Sequence, residues 1–300
     1  MLPAVNGPSE QFLTNLDQIQ SAMNTVQRQL SSGLRVGQAS DDPSAVPSIL
    51  KTQSEIARNN QAQTNLNQVK TELLTGDASL QQAVTLVEQA ITLASQAGST
   101  VNSDTQIANL AAQVQGIQQQ LVNLSNTSVG GRYIFSGDSD QQAAYALDST
   151  QPNGVQQLAA AKSTQVITDA NGNPLWTPMT AQDIFDSGSG GNVFAAVNGL
   201  LTALQNNDSA AAGASVASLN TADDYLNQQL GLIGIAENRV SDATTAASQS
   251  VTTETADLGT LRDADTAGDA VQLTQLNTQQ QAALSARATM SQRNLFDFLA

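Results

Sequence analysis

Apolar residues in the first stretch of the chain fall at Phe12, Leu16, Ile19, Met23, Val26 and Leu30, spaced 4, 3, 4, 3 and 4. That alternation is an a/d seam and predicts a coiled-coil helix over residues 10–32. It ends at Ser31-Ser32-Gly33, where the glycine supplies a left-handed stop. A second helix is expected to start near Asp42-Pro43, with Asp42 capping free N–H groups and Pro43 where a missing donor costs nothing. Pro47 makes that first turn irregular or delays the start to itself. The apolar face is then Val69, Leu73, Leu80, Val84, Val87, Ile91 and Ala94. Its step from Leu73 to Leu80 to Val84 is a stutter around Gly76-Asp77, expected to loosen or break the helix. "GSTVNSD" (98–104) reads as a turn with Asn102 or Ser103 as cap. Ile107, Leu110, Val114, Ile117, Leu121 and Leu124 then form the most regular heptad run in the chain, ended by "SNTSVGG".

From Arg132 the period changes. "RYIFSG" reads as an extended run, and "TQVITDANGNPLWTP" places an Asn171-Gly172 turn between two more, a hairpin signal. Trp176, the one tryptophan, is expected to anchor a small hydrophobic cluster there. "SGSGG" (187–191) reads as a flexible linker. Helical periodicity resumes over 192–208 and continues through Leu226, Leu230, Ile233, Val240, Val251, Leu258 and Leu261. In the last helix Leu276, Ala283 and Met290 repeat every seven residues, the other seam positions are mostly polar, and Leu295, Phe296, Phe298 and Leu299 close the chain. A helix that poor in apolar residues depends on packing partners.

Folding back pairs residues 10–32 with 268–298 and 43–128 with 193–262. The expected fold class is therefore mainly α: an elongated antiparallel helical coiled-coil bundle built from both chain ends, with a small β-containing insert. Three parts are expected: terminal helices (1–40 plus 265–300), a helical rod (41–130 plus 193–264) and the insert (131–192).

Composition narrows the function. Charged residues are 12% of the 300 and aromatics 3%, against about 25% charged in ordinary domains. Gln, Asn, Ser, Thr and Ala take their place, which suits helices packing on similar helices better than a deep aromatic-lined pocket. The net charge of −15 is concentrated in the middle, and both ends are nearly neutral, so copies can approach end to end without repulsion. No basic stripe exists to meet phosphates, which argues against nucleic acid. Without cysteine or histidine, disulfides, Cys/His metal sites and Ser-His-Asp or Cys-His catalysis are excluded. "MLPAVNGPSEQF" lacks the basic and apolar regions of a signal peptide, and no segment approaches the ~20 apolar residues of a membrane span.

Carboxylates in the insert, Asp138, Asp140, Asp148, Asp169, Asp183 and Asp186, are the remaining catalytic candidates. The few aromatic platforms beside them (Tyr133, Phe135, Tyr145, Trp176, Phe185) do not suggest a sugar cleft, and the expectation is no enzyme, no cofactor and no metal. "DADTAGD" (263–269) lacks the spacing of a calcium loop and reads as a solvated helix joint. The stretch "LSSGLRVGQASDDPSA" (30–45) holds Gly33, Arg35, Asp41, Asp42 and Pro43. It reads as a joint between helices, with Arg35 bonding within one subunit or reaching to the next.

These motifs resemble the bacterial flagellin family. The joint, with its Asp41-Asp42-Pro43, is similar to the junction after that family's N-terminal helix. The Asp-Asp-Pro form is that of the members that join hook to filament, whereas filament flagellins usually carry Asp-Asp-Ala-Ala-Gly. "GGRYIFSG" (130–137), with Arg132, Tyr133, Ile134, Phe135 and Gly137, resembles a stretch of the same members, as do "DIFDS" (183–187) and "GLIGIAENRV" (231–240). The resemblance implies a structural protein of the flagellum, with a filament subunit as the alternative and an intracellular coiled-coil scaffold more remote. It implies assembly through the apolar positions of both terminal helices, from Phe12 to Leu30 and from Leu276 to Leu299. The implied partners are like subunits in a ring, a neighbouring hook-associated protein, filament flagellin and an export chaperone on the C-terminal helix. The implied location is extracellular, reached without a cleaved signal.

Overall fold

The computed structural model describes residues 7–99, 103–188 and 191–296, the side chains of 7–9 and 290–296 excepted. Among these, the elements in chain order begin with α1 (Gly7–Ser32), α2 (Val46–Ala97) and α3 (Asp104–Ser125). Three short hairpins follow: β1 (Ser128–Val129) with β2 (Arg132–Tyr133), β3 (Tyr145–Leu147) with β4 (Val155–Gln157), and β5 (Ile167–Thr168) with β6 (Pro174–Trp176). Then come α4 (Ala181–Phe185), α5 (Val193–Gln205), α6 (Ser209–Arg262) and α7 (Thr266–Phe296). The fold is mainly α with a hairpin insert, as the periodicity predicts. Chain packing gives two compact units, residues 1–58 with 250–300 and residues 59–249. Both boundaries fall inside helices, α2 and α6.

The central unit, 59–249, holds the main core. α2 runs unbroken through Gly76-Asp77, contrary to the expected stutter. The reason is that small residues carry the seam: Leu73, Gly76, Leu80, Ala83, Val87, Ala90, Ala94 and Ala97 are all buried and alternate by 3 and 4 without a skip. Val84, counted as a seam position above, is only half-buried. α6 answers with Leu219, Ala222, Leu226, Ile233, Ala236 and Val240. The two run antiparallel, because Gly76 meets the Ile233 side chain while Gly98 meets Gly213. At that second contact a Cβ on Gly98 would lie 2.9 Å from the Gly213 Cα, so only glycine permits the approach. α3 starts at a Ser103–Gln106 capping box, one of the two caps expected there; Asn102 lies outside the described residues. Its Ile107, Val114, Ile117 and Leu121 are buried, and it packs on α5.

The insert departs from the expectation in three places. "RYIFSG" is strand only at Arg132–Tyr133, because the chain then turns inward to bury Phe135 and forms a 3₁₀ turn at Gly137–Ser139. Trp176 is only half-buried. The aromatic centre is instead Phe135 against Phe185 (6.2 Å between centroids), Phe185 against Phe194 (5.7 Å) and Phe194 against Tyr145 (5.1 Å). In "SGSGG", Gly191 lies on the Tyr225 ring, where a Cβ would collide, so its end is held rather than free. The Asn171-Gly172 hairpin is present, with Gly172 at φ +87°.

In the unit formed by 1–58 and 250–300, α1 pairs with α7. The pair is antiparallel: Leu34 bridges Asp263 at one end, and the Arg287 guanidinium lies over the Phe12 ring, 5.7 Å from its centroid. A small cluster of Val36, Ile49 and Leu258 packs with Ala45, Ile56 and Leu261. α2 starts at Val46, later than Asp42-Pro43, because the Asp42 carboxylate caps a separate turn over 43–45. Pro47 then falls in the first helical turn, where no intrahelical donor is required.

Candidate assembly site

The joint at 30–45 is held by backbone first. Gly33 adopts φ +70° and its N–H returns to the Gln29 carbonyl at 2.7 Å, ending α1. Arg35 and Val36 N–H groups both donate to the Arg262 carbonyl (2.7 and 3.1 Å), and Ala264 N–H donates to the Gly33 carbonyl (3.0 Å). The end of α1 is thus stitched to the link between α6 and α7.

Side chains then lock the turn. Arg35 Nη2 donates to the Leu261 carbonyl at 2.5 Å and Nη1 to Asp42 Oδ2 at 3.0 Å. Asp42 Oδ1 accepts from the Ser44 hydroxyl (2.6 Å) and from the Ser44 and Ala45 N–H groups (3.2 Å each). The Ser44 hydroxyl and then the Arg35 guanidinium hold the Asp42 carboxyl down at about 2. Asp41 Oδ2 accepts from Gly37 and Gln38 N–H groups and faces Arg28 at 3.8 Å. Pro43 is exposed within the capped turn. Within its own chain Arg35 thus bonds both Asp42 and the Leu261 carbonyl. The carbonyls of Leu261 and Arg262 have no sequence signature, which is why the joint's second half could not be read in advance.

The α1–α7 seam brings the expected interface residues together, yet does not cover them. Val26 is buried to 3% exposure; Phe12, Leu16, Ile19, Met23 and Leu30 are half-buried, as are Leu276 and Ala283 opposite. Leu273 and Gln280 complete the α7 face. Met290, Leu295 and Phe296 are described as helical backbone only, and Phe298 and Leu299 lie outside the described residues. Arg287, a polar seam position on sequence grounds, acts as a cation lid on Phe12, a contact that only the register reveals.

The "GGRYIFSG" residues serve to seat the insert. Arg132 Nε donates to Asp140 Oδ2 at 2.7 Å, and Gln141 and Arg132 together depress the Asp140 carboxyl. Tyr133 N–H donates to the Asp140 carbonyl and Ile134 N–H to that of Thr127. Phe135 fills the aromatic centre, and its carbonyl accepts from Ala181 N–H at 2.7 Å. Gly137 (φ +51°) passes so close to Lys162 that a Cβ would stand 2.6 Å from its carbonyl oxygen.

The insert's carboxylates are engaged in turns and caps. Asp138 accepts from Thr164, Asp148 from Thr150, and Asp169 from Asn171 and Asn173. Asp183 closes the capping box of α4, and Asp186 accepts from Tyr145, Asn153 and Asn192. Burial, and then the Asp186 charge, push the Tyr145 hydroxyl up from its ordinary value. Among the described residues no three His, Cys, Asp or Glu side chains converge for a metal, and no helix is long and apolar enough to cross a membrane.

Helices from both chain ends that pair antiparallel, with a hairpin insert between them in sequence, define the class. Residues 4–140 match the bacterial flagellin N-terminal helical region and residues 216–299 the bacterial flagellin C-terminal helical region. The chain belongs to the bacterial flagellin family. Within it, the chain is 27% identical over 186 residues to flagellar hook-associated protein 3 of Escherichia coli (strain K12), covering 59% of this chain and 58% of that protein. To flagellar hook-associated protein 3 of Salmonella typhimurium it is 28% identical over 137 residues, covering 45% and 43%. The matches thus span less than two thirds of these relatives' length. A solved structure assigned to a flagellar hook-associated protein of Vibrio parahaemolyticus shares the fold at TM-score 0.65 and 21% identity, covering 74% of this chain and 99% of that one.

Proposed function

We propose that this chain is a structural component of the bacterial flagellum that joins hook to filament, assembling through its terminal helices. The observation that carries the reading is the half-buried α1–α7 seam. Leu13, Val271 and Leu284 on these two helices remain 58%, 59% and 51% exposed. Leu13 and Leu284 each follow a seam residue by one position, so they share a flank of the antiparallel pair. The two helices carry three acids and three bases between them, so the −15 of the chain does not oppose a neighbour there.

In this reading the flank and the half-open seam are covered by the same helices of adjoining subunits. In it the terminal helices 1–40 and 265–300 form the assembly domain, 41–130 with 193–264 the helical rod, and 131–192 the insert. Like subunits, a neighbouring hook-associated protein and filament flagellin are the partners. A chaperone shields the C-terminal helix until export.

Antibody labelling of isolated flagella tests the reading. A narrow band between hook and filament is expected. Label along the whole filament would make the chain a filament subunit, and retention in the cytoplasm of an export-competent strain would make it an intracellular scaffold. Removing residues 271–300 is expected to abolish incorporation; normal incorporation would sink the assembly mechanism.

A further inference from the structure

In the central unit two half-buried α6 carboxyls each turn one oxygen out of solvent without a partner: Asp223 Oδ1 and Glu237 Oε1 accept no hydrogen bond. They stand fourteen positions apart, two heptads, so both follow a buried seam alanine (Ala222, Ala236) on the same flank of α6. Between them lies half-buried Leu230.

What α2 sets beside them is mostly acid. Asp223 has Glu88 of α2 and its own neighbour Asp224 acting on it, with one hydrogen bond, from Asn227 Nδ2 to Oδ2 at 3.1 Å. Glu237 has Asp77 of α2 acting on it, countered in part by Lys70. Lys70 makes no ion pair within 4 Å among the described residues, and the Arg239 guanidinium is turned to the Leu175 carbonyl at 3.2 Å. α3 carries Asp104 as its single charge and α5 carries none. Tyr225 donates to the Asp183 carbonyl and takes no part. The unit as a whole has fifteen acidic and four basic side chains, so no surplus of positive charge compensates the flank.

We propose that the α2–α6 contact is an acid-strengthened clasp, in which Asp223 and Glu237, each with one shielded and unpartnered oxygen, are neutralised as the pH falls. Each gains a solvent proton, loses its charge and acquires an O–H donor, which removes the repulsion from Glu88 and Asp77. Burial first, then those neighbours, raise both carboxyls above the ordinary value. A raised carboxyl makes the folded state bind more protons, so stability climbs as pH falls through the raised value. The gain is complete near the unfolded value of about 4. The depressed carboxyls of the insert, Asp140, Asp148 and Asp169, act only below that point. The inference is independent of the flagellar reading.

The test is thermal unfolding of the full chain followed by Trp176 fluorescence, which reports the central unit because Trp176 packs on its core. Between pH 7.5 and 4.5 the wild-type Tm is expected to rise by about 2–4 °C. The Asp223→Asn/Glu237→Gln double variant is expected to start higher at pH 7.5 and stay flat. An equal rise in the double variant would assign the effect to net charge and overturn the clasp, as would a flat wild type. Glu88→Gln removes a neighbour and leaves both carboxyls in place, so it serves if the double variant does not fold. Its rise must be smaller than wild type, and an undiminished rise overturns the proposal.

Discussion

The α2–α6 pair of the central unit and the α1–α7 pair of the chain ends use the same heptad grammar with opposite outcomes. In the first, the wide seam positions hold leucine, isoleucine and valine at 0–2% exposure, while glycine and alanine at the narrow ones let the backbones close. α3, α5 and the insert's aromatic cluster cover what remains. In the second, Val26 is the one seam residue between Phe12 and Leu30 that is buried, and outward leucines stay uncovered. A seam needs a third and fourth helix to become a core. The central unit supplies them from its own chain; in the reading proposed above, neighbouring subunits supply them to the ends.

The sharpest way to break this contrast is to empty one core position on each side. Phe185→Ala removes a fully buried ring that touches two others and is expected to cost about 3–5 kcal/mol in the Trp176-monitored transition. Leu276→Ala in the half-buried seam is expected to cost the monomer about 1 kcal/mol by area and to act chiefly on incorporation. Equal losses in denaturant titrations would erase the distinction.

Gly98→Ala puts a methyl against the Gly213 backbone and is expected to destabilise the central unit by about 1–3 kcal/mol. An unchanged midpoint would mean that the helices are not in close contact there. Gly76→Ala should do the reverse. Its Cβ would meet Phe135, Ile134 and Ile233 at 3.6–3.7 Å, ordinary contact, so the helix-propensity gain of about 0.5–1 kcal/mol is expected in full, read as a higher urea midpoint.

The pH response should also differ between the two units. Asp42 sits at about 2 in the folded joint against an unfolded value near 4. A depressed carboxyl contributes stability above the unfolded value and loses it as pH falls through the folded one. The joint is therefore expected to hold at pH 5 and to loosen between about 4 and 2, whereas the α2–α6 clasp tightens on the way down to 4. Amide exchange at Ser44 and Ala45, whose N–H groups Asp42 accepts, is the measurement. In Asp42→Asn the protection should become independent of pH across that window.

Periodicity alone determined much of this protein. The α1 and α7 seams, the Ile107–Leu124 run, a cap at Asn102 or Ser103, the insert's position and its Asn171-Gly172 hairpin all follow from local spacing and turn chemistry, which act over a few residues. The Gly33 stop was legible for the same reason, whereas Asp42, expected to cap the second helix itself, caps a separate turn ahead of it. What local pattern could not decide was set by contacts from far along the chain. Gly76 looked like a break because a seam was sought among large residues; α6 packs so closely that small ones carry it. "RYIFSG" looked like strand because nothing local says that Phe135 is drawn in toward Phe185. Nothing local in the sequence says that Arg35 meets the Leu261 carbonyl, 226 residues away. Burial is a property of neighbours, and only the tertiary structure supplies those.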